Sequence, residues 1–258
     1  MANTVYPNAV LEAKATDLLA TALNVRNYMT IDNSLTASAG MTKTINTYTY
    51  SGEAEELGVG QGNSKRGSIT YVGKDYVVKV VQQVFDYYDE DVMKDPQIVD
   101  MMMKGATQVM ANKMTSDFVA EIEKTTTAST FSSTYGYDAI VDGISALNIE
   151  EENGVFDLIP NAWKAQLRKD PDYKAARMGE VVYSGQVGTV AGIPVIPSKA
   201  LDDASFVATK EAVKLFMKKD VEVEQVRDAE HRKNTVILRT AYICALVDAT
   251  KACKVSKA

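Results

Sequence analysis

Two β-prone segments separated by a glycine-rich, charged stretch constrain the fold of this chain more than any other feature. Residues 43–50 (KTINTYTY) and 68–81 (SITYVGKDYVVKVV) are rich in β-branched and aromatic residues, which favour extended backbone. Between them, SGEAEELGVGQGNSKRG carries five glycines and five charged residues, so it has turn chemistry and nothing to bury. The simplest arrangement is a long β-hairpin with a flexible tip. A two-stranded hairpin is marginal on its own in water and exposes both edges. A hairpin of this length therefore predicts a surface to lie on, which a neighbouring subunit can supply.

Helical signals surround the hairpin. Residues 8–28 carry an imperfect apolar stripe of Val10, Leu11, Leu18, Leu19 and Ala22, followed by the polar stretch TIDNSLTASAGMTK, which reads as an extended arm or linker. Asp95-Pro96 suits an N-cap and first helical position. Ile98, Met102, Ala106, Val109, Met110, Met114, Phe118 and Ile122 then recur at helical spacing. The spacing predicts a helix to about Lys124, roughly 42 Å long at about 1.5 Å per residue, ended by Thr125–Thr127. A further helix is expected over 138–149, a short buried strand at VFDLIP, and a helix in NAWKAQLRKDPDY stopped near Pro171. GEVVYSGQVGTVAGIPVIPSKAL reads as strands and tight turns. FVATKEAVKLFMKK reads as a strand passing into a short helix, VEVEQVRD as an alternating strand, and NTVILRTAYICALVD as a longer one.

Composition bounds the function. With 46% hydrophobic and 24% charged residues the chain is expected to fold, and a net charge of −6 leaves no basic footprint for gripping nucleic acid. No stretch approaches the ~18 consecutive apolar residues of a membrane span. The N-terminus lacks the pattern of a signal peptide. Two cysteines, Cys244 and Cys253, are too few for a disulfide framework. These features point to a protein made and kept in a cytoplasm.

No constellation of catalytic or metal-ligating residues stands out in the sequence. His231, the only histidine, lies in the charged run DAEHRKN, and any Ser-His-Asp or Cys-His nucleophile would have to use it. A solvated turn is the preferred reading. A zinc site from His231, Cys244 and Cys253 lacks paired spacing. Gly58, Gly60 and Gly62 are followed by a strand where a phosphate-binding loop needs a helix. Asp86, Asp89, Glu90 and Asp91 read as a charged elbow ahead of the long helix rather than a cation site. Met101, Met102, Met103, Met110 and Met114 read as core more than as a pliable groove. No catalytic residue, cofactor or metal is expected, and the chain is not expected to be an enzyme.

The order of elements resembles the major capsid protein fold of tailed phages, an α+β fold. Three stretches carry the resemblance: LIPNAWKAQLRKDPDY, GQVGTVAGIPVIPSKAL, and the C-terminal run from FVATKEAVKLFMKKDVEVEQVRD through NTVILRTAYICALVDATKACKV. It implies an N-terminal arm at 1–41, an extended β-hairpin loop at 42–83, and a peripheral domain with the long spine helix at 84–128. An axial domain follows at 129–205, then the return strands of the peripheral domain at 206–258. It also implies that copies self-assemble as pentamers and hexamers into an icosahedral shell enclosing double-stranded phage DNA, held without sequence-specific binding. The virion is then the protein's location, after assembly in the host bacterial cytoplasm. Implied partners are the chain itself, a portal, and separate scaffolding or decoration proteins, with no membrane. Lys65, Arg66, Glu55 and Glu56 at the hairpin tip become candidates for inter-subunit contacts. An encapsulin-type nanocompartment shell is the alternative within the same fold.

Overall fold

A computed structural model of the protein describes residues 8–23, 25–150, 153–171 and 188–258. The chain starts with α1 (Asn8–Ala22), a 3-10 turn at Arg26–Tyr28 and the short strand β1 (Thr30–Asp32). The hairpin strands β2 (Thr42–Ser51) and β3 (Ser68–Val77) follow, then β4 (Lys79–Tyr88), α2 (Asp89–Lys94) and the long helix α3 (Ile98–Ile122). Next come β5 (Thr127–Phe131), α4 (Tyr137–Leu147), β6 (Val155–Pro160), α5 (Lys164–Lys169), β7 (Thr189–Val190) and β8 (Ile193–Ser198). The C-terminal part is β9 (Ala204–Thr209), β10 (Val213–Asp228), β11 (Lys233–Leu246) and β12 (Ala252–Lys257).

The strands form three sheets. One has the order β1-β10-β11-β4, a second the order β5-β12-β9-β6-β8-β7, and β2 and β3 pair only with each other. Residues after 203 thus feed both larger sheets: β10 and β11 build the first, while β9 and β12 lie inside the second.

Helix α3 joins the two larger sheets. Its buried row (Val99, Met103, Ala106, Met110, Met114, Phe118 and Ile122) enters one continuous core with Leu11, Ala15 and Leu19 of α1, Leu215 and Val223 of β10, and Phe206 of β9. The predicted stripe is correct at Ala106, Met110, Met114, Phe118 and Ile122. Val109 points outward instead, and so does Met101. The predicted start is also shifted: Gln97, not Asp95, is the N-cap of α3 and has no side-chain cap bond, while the Asp95 side chain accepts the Gln97 N–H at 2.9 Å in the turn ahead of the helix. At the other end the Thr125 hydroxyl donates to the Ala249 carbonyl at 2.8 Å and closes the helix against the C-terminal strands.

Three sequence expectations are corrected. The helix predicted over 8–28 stops at Ala22, and Val10 lies on its outer side while Leu11, Ala15 and Leu19 are buried. The extended linker after it contains β1, which pairs in parallel with Lys214–Phe216, and Leu35 is buried. The helix expected within FVATKEAVKLFMKK is the first part of β10. Val213, Leu215 and Met217 join the main core while Phe216 faces a second cluster with Ile45 and Tyr76. A strand covered on both faces loses its alternation and reads like a short helix.

The same two-sided cover explains why every residue of β6 is buried. Phe156 and Leu158 belong to the main core, whereas Val155 and Ile159 pack with Ile140 and Ile144 of α4 and Leu167 of α5. Helix α4 approaches the sheet through Gly143: a Cβ there would stand 2.9 Å from a methyl of both Val207 and Val255. Alanine at this position gains about 1 kcal/mol of helix propensity but overpacks at a cost of about 1–3 kcal/mol. Gly143→Ala is therefore expected to lower the urea midpoint, by about 1 kcal/mol of net stability. A higher midpoint would show that the sheet yields to the methyl.

Candidate assembly surfaces

The hairpin has a rooted half and a free half. Ten cross-strand pairs run from Thr42↔Val77 to Ser51↔Ser68, about 34 Å of ladder at the antiparallel rise. At the root, Ile45 and Tyr76 pack with Leu35, Val78, Phe216 and Ile243. The Lys43 ammonium lies 3.9 Å from the centre of the Phe216 ring, and the Tyr76 hydroxyl donates to the Leu246 carbonyl at 3.3 Å. The β strand predicted to run unbroken to Val81 divides at Val78, whose N–H turns to the Met41 carbonyl at 2.7 Å. Beyond it β4 pairs with β11, so the division is where the hairpin leaves the body.

Asp117 of α3 anchors that point. It accepts from Lys79 at 3.0 Å, Lys113 at 3.1 Å and the buried Tyr242 hydroxyl at 2.8 Å. Burial pushes its carboxyl up, but the Tyr242 hydroxyl and the two ammonium groups outweigh this and hold it below the ordinary 3.8. A lowered carboxyl contributes stability above pH 3.8 that is lost as pH falls through its folded value. Asp117→Asn keeps an acceptor for Tyr242 and loses two charge-assisted bonds to half-exposed lysines. The expected loss is about 1–2 kcal/mol at pH 7, shrinking toward zero below the wild-type carboxyl's folded value. Urea unfolding at several pH values checks both parts.

The free half exposes its large side chains. Tyr48, Tyr50, Ile69 and Tyr71 share one face through the pairs Tyr48↔Tyr71 and Tyr50↔Ile69, and each is 65–70% exposed. The rings of Tyr48 and Tyr71 lie 6.3 Å apart. Tyr50 folds over the glycines at the two ends of the loop: a Cβ on Gly52 or Gly67 would fall 2.6 or 2.1 Å from its hydroxyl oxygen. The glycines thus admit a ring that closes the end of the ladder.

At the tip, the four sequence-predicted residues part into two kinds. Glu55 accepts from the Ser64 N–H and hydroxyl, both at 2.8 Å, and from the Lys65 N–H at 3.1 Å. The Ser64 bonds, then the Lys65 N–H, lower its carboxyl. Lys65 forms an ion pair with Glu53. Both are therefore engaged within the loop. Arg66 and Glu56 are exposed and have no ion pair among the described residues.

The other singled-out residues have structural partners. Asp86 binds Lys233 and Thr235, Asp89 binds Arg227 and Asn234, and Glu90 binds Arg232, so the β10–β11 hairpin neutralises three acids of the elbow, while Asp91 lies 3.9 Å from Lys94 of α2. His231 lies on the turn of that hairpin, with Nδ1 2.7 Å from Asp228. Among the described residues no group of three or more His, Cys, Asp or Glu side chains is placed to hold a metal ion. Burial raises Cys253 and pushes Cys244 up to about 12, with Glu121 and Asp117 adding to the latter. Met103, Met110 and Met114 are core, and Met102 packs against it. Gly58, Gly60 and Gly62 lie in the hairpin tip, where Gly60 has φ +82°. The parts of the glycine-proline run before residue 188 lie outside the described residues. Sequence reasoning missed Asp117 and Asp157. For Asp157 the signal was an acid inside the apolar run VFDLIP, whereas Asp117 follows Thr115 and Ser116 and carries no such signal.

No family model matches the sequence. The chain is 23% identical to the major capsid protein of Staphylococcus phage phiMR11 over 245 residues, 91% of this chain and 87% of that protein. Among solved structures, the capsid of Cyanophage P-SCSP1u superposes with a TM-score of 0.67 at 14% identity, over 89% of this chain and 86% of that one. The capsid of a native GTA particle gives 0.69 at 11% identity, over 92% and 90%. The virus-like particle of Pyrococcus furiosus gives 0.66 at 11% identity, over 98% and 100%. The chain has the α+β fold of the tailed-phage major capsid proteins, the shell fold shared with encapsulins.

Proposed function

We propose that the protein is the major capsid protein of a tailed phage, self-assembling as pentamers and hexamers into an icosahedral shell around double-stranded DNA. The observation that carries this reading is the aromatic face of the hairpin. Four large side chains on one face of a two-stranded ladder stand in water, an arrangement that pays off only when a partner covers it. A second copy of the chain is that partner. The similarity to a phage major capsid protein across nine-tenths of the chain supports the same reading.

In this reading residues 1–41 serve as the arm, 42–83 as the reaching loop, 84–128 and 206–258 as the peripheral domain, and 129–205 as the axial domain. Arg66 and Glu56 are free to meet charges on a neighbour, while Lys65 and Glu55 shape the tip. With a net charge of −6 the shell holds DNA without a sequence-specific grip. Portal, scaffolding and decoration proteins are its further partners, the host cytoplasm its place of assembly, and its role structural rather than enzymatic.

An encapsulin-type compartment is the second reading, favoured by the end-to-end match with the Pyrococcus particle. Electron microscopy of the protein, expressed alone and with its neighbouring genes, tests both. Closed shells of uniform diameter are expected. Nucleic acid inside them supports the phage reading and protein cargo the encapsulin one. A monodisperse monomer under both conditions would sink the two together.

A further inference from the structure

Asp157, the third residue of β6, has no exposed surface. Its Oδ2 accepts the Tyr135 hydroxyl at 2.6 Å, and the Tyr135 oxygen accepts in turn from the Ser205 hydroxyl at 3.2 Å. Its Oδ1 is buried without a hydrogen-bond partner. Buried carboxylates are ordinarily matched by a cation or several donors; one neutral hydroxyl does not offset the loss of water. The neutral acid is the form that fits this site. Burial lifts the carboxyl from 3.8 to about 7, against the opposing bond from Tyr135.

Among the described residues the surroundings supply no compensating charge. The sheet register sets Val195 of β8 and Val207 of β9 beside Asp157, and Cys253 of β12 one strand further, its thiol held neutral by burial. The carboxyls of α4, Asp138 and Asp142, are exposed. On α5, Lys169 is exposed and Lys164 and Arg168 half-buried; none bonds to Asp157. Tyr135, raised well above its ordinary value by burial and by Asp157, is the titratable group in contact.

Tyr135 transmits the state of the site. It lies between β5 and α4, with its ring 4.8 Å from that of Trp163 and 5.6 Å from that of Phe131. Two residues on, the Tyr137 N–H that starts α4 is held by Asp170 at 2.6 Å. We propose that Asp157 is a proton-operated latch, which as a neutral acid holds the 131–137 connection and α4 on the six-stranded sheet, and which loosens that layer when it ionises. The sign follows from the raised carboxyl: its stabilisation is complete below about pH 4 and is lost as pH rises through about 7.

The test needs neither a shell nor the shell reading. Trp163 is the only tryptophan of the chain, so its fluorescence reports the layer directly. Fluorescence and amide exchange of α4 are followed from pH 5 to 9. The unmodified protein is expected to change with a one-proton midpoint near pH 7, with the protection of α4, taken relative to the base-catalysed intrinsic exchange rate at each pH, at least tenfold lower at the alkaline end. Asp157→Asn abolishes the midpoint and keeps α4 protected at pH 9. Tyr135→Phe removes the donor that favours the ionised form and moves the midpoint to higher pH. A flat profile in the unmodified protein overturns the latch, as does an Asn variant less protected than wild type at every pH. Should the variants fail to fold, the infrared band of a buried protonated carboxyl decides the matter in the unmodified protein. Its presence at pH 6 and loss at pH 9 support the proposal; its absence at pH 6 overturns it.

Discussion

Replacing Tyr48 and Tyr71 together by serine is expected to leave the melting temperature of the isolated subunit unchanged and to weaken shell assembly by roughly two orders of magnitude per contact. Both rings are about two-thirds exposed and lie side by side across the ladder, so the fold loses little with them. Covered by a neighbour, each would contribute about 1.5–2 kcal/mol through buried apolar area and aromatic packing. Two such losses come to about 3 kcal/mol, close to a hundredfold in an association constant. Light scattering against protein concentration reads the effect as a shift in the concentration at which shells appear. Thr47→Ser on the opposite face is the control, expected to assemble normally. Assembly unchanged in the double variant would remove the aromatic face from the interface. A lowered melting temperature would place the tyrosines in the subunit's own fold instead.

The largest effect on the fold itself is expected from Phe206→Ala. Phe206 has no exposed surface and sits on β9, in the six-stranded sheet, yet belongs to the core formed with α3 and the four-stranded sheet. Truncation leaves a cavity where the two sheets meet, with an expected cost of about 3–5 kcal/mol. Because the same core supports both sheets, tryptophan fluorescence from Trp163 and far-ultraviolet circular dichroism are expected to shift to a lower urea midpoint together. Separate transitions by the two probes would mean that the sheets unfold independently. A loss under about 1 kcal/mol would mean that neighbouring side chains collapse into the space.

The elements most legible in the sequence are those whose pattern has a single cause. The helix over Ile98–Ile122 faces a core on one side, so its apolar residues keep helical spacing. The hairpin is legible because alternation and turn glycines act within one local stretch. Its tip residues were legible only as charged loop positions. That Lys65 and Glu55 bind within the loop while Arg66 and Glu56 do not depends on where the loop folds back, which no spacing encodes.

Where two layers cover one strand, the sequence loses its voice. In FVATKEAVKLFMKK the near-continuous apolar run of Val213, Leu215, Phe216 and Met217 looks like part of a short helix, because these residues are buried on opposite faces of β10 and in different clusters. The same cover made VFDLIP an apolar run and hid the meaning of its aspartate: a carboxylate in such a run has to be neutral or paired, and only the fold brings Tyr135 and Ser205 to it. Asp117 likewise looks like a surface acid of a long helix until β4 and β11 deliver Lys79 and Tyr242 from 38 and 125 residues away.

The amino-acid sequence by itself thus determined the long helix, the hairpin with its glycine-rich tip, and the order of elements that resembles a capsid shell, because each rests on local periodicity and turn chemistry. Only the tertiary structure decided which hairpin face is left in water, which acids are buried, and which sheet each C-terminal strand joins. Those outcomes depend on contacts between segments far apart in the chain, and burial on both faces erases the one-dimensional pattern that would have announced them.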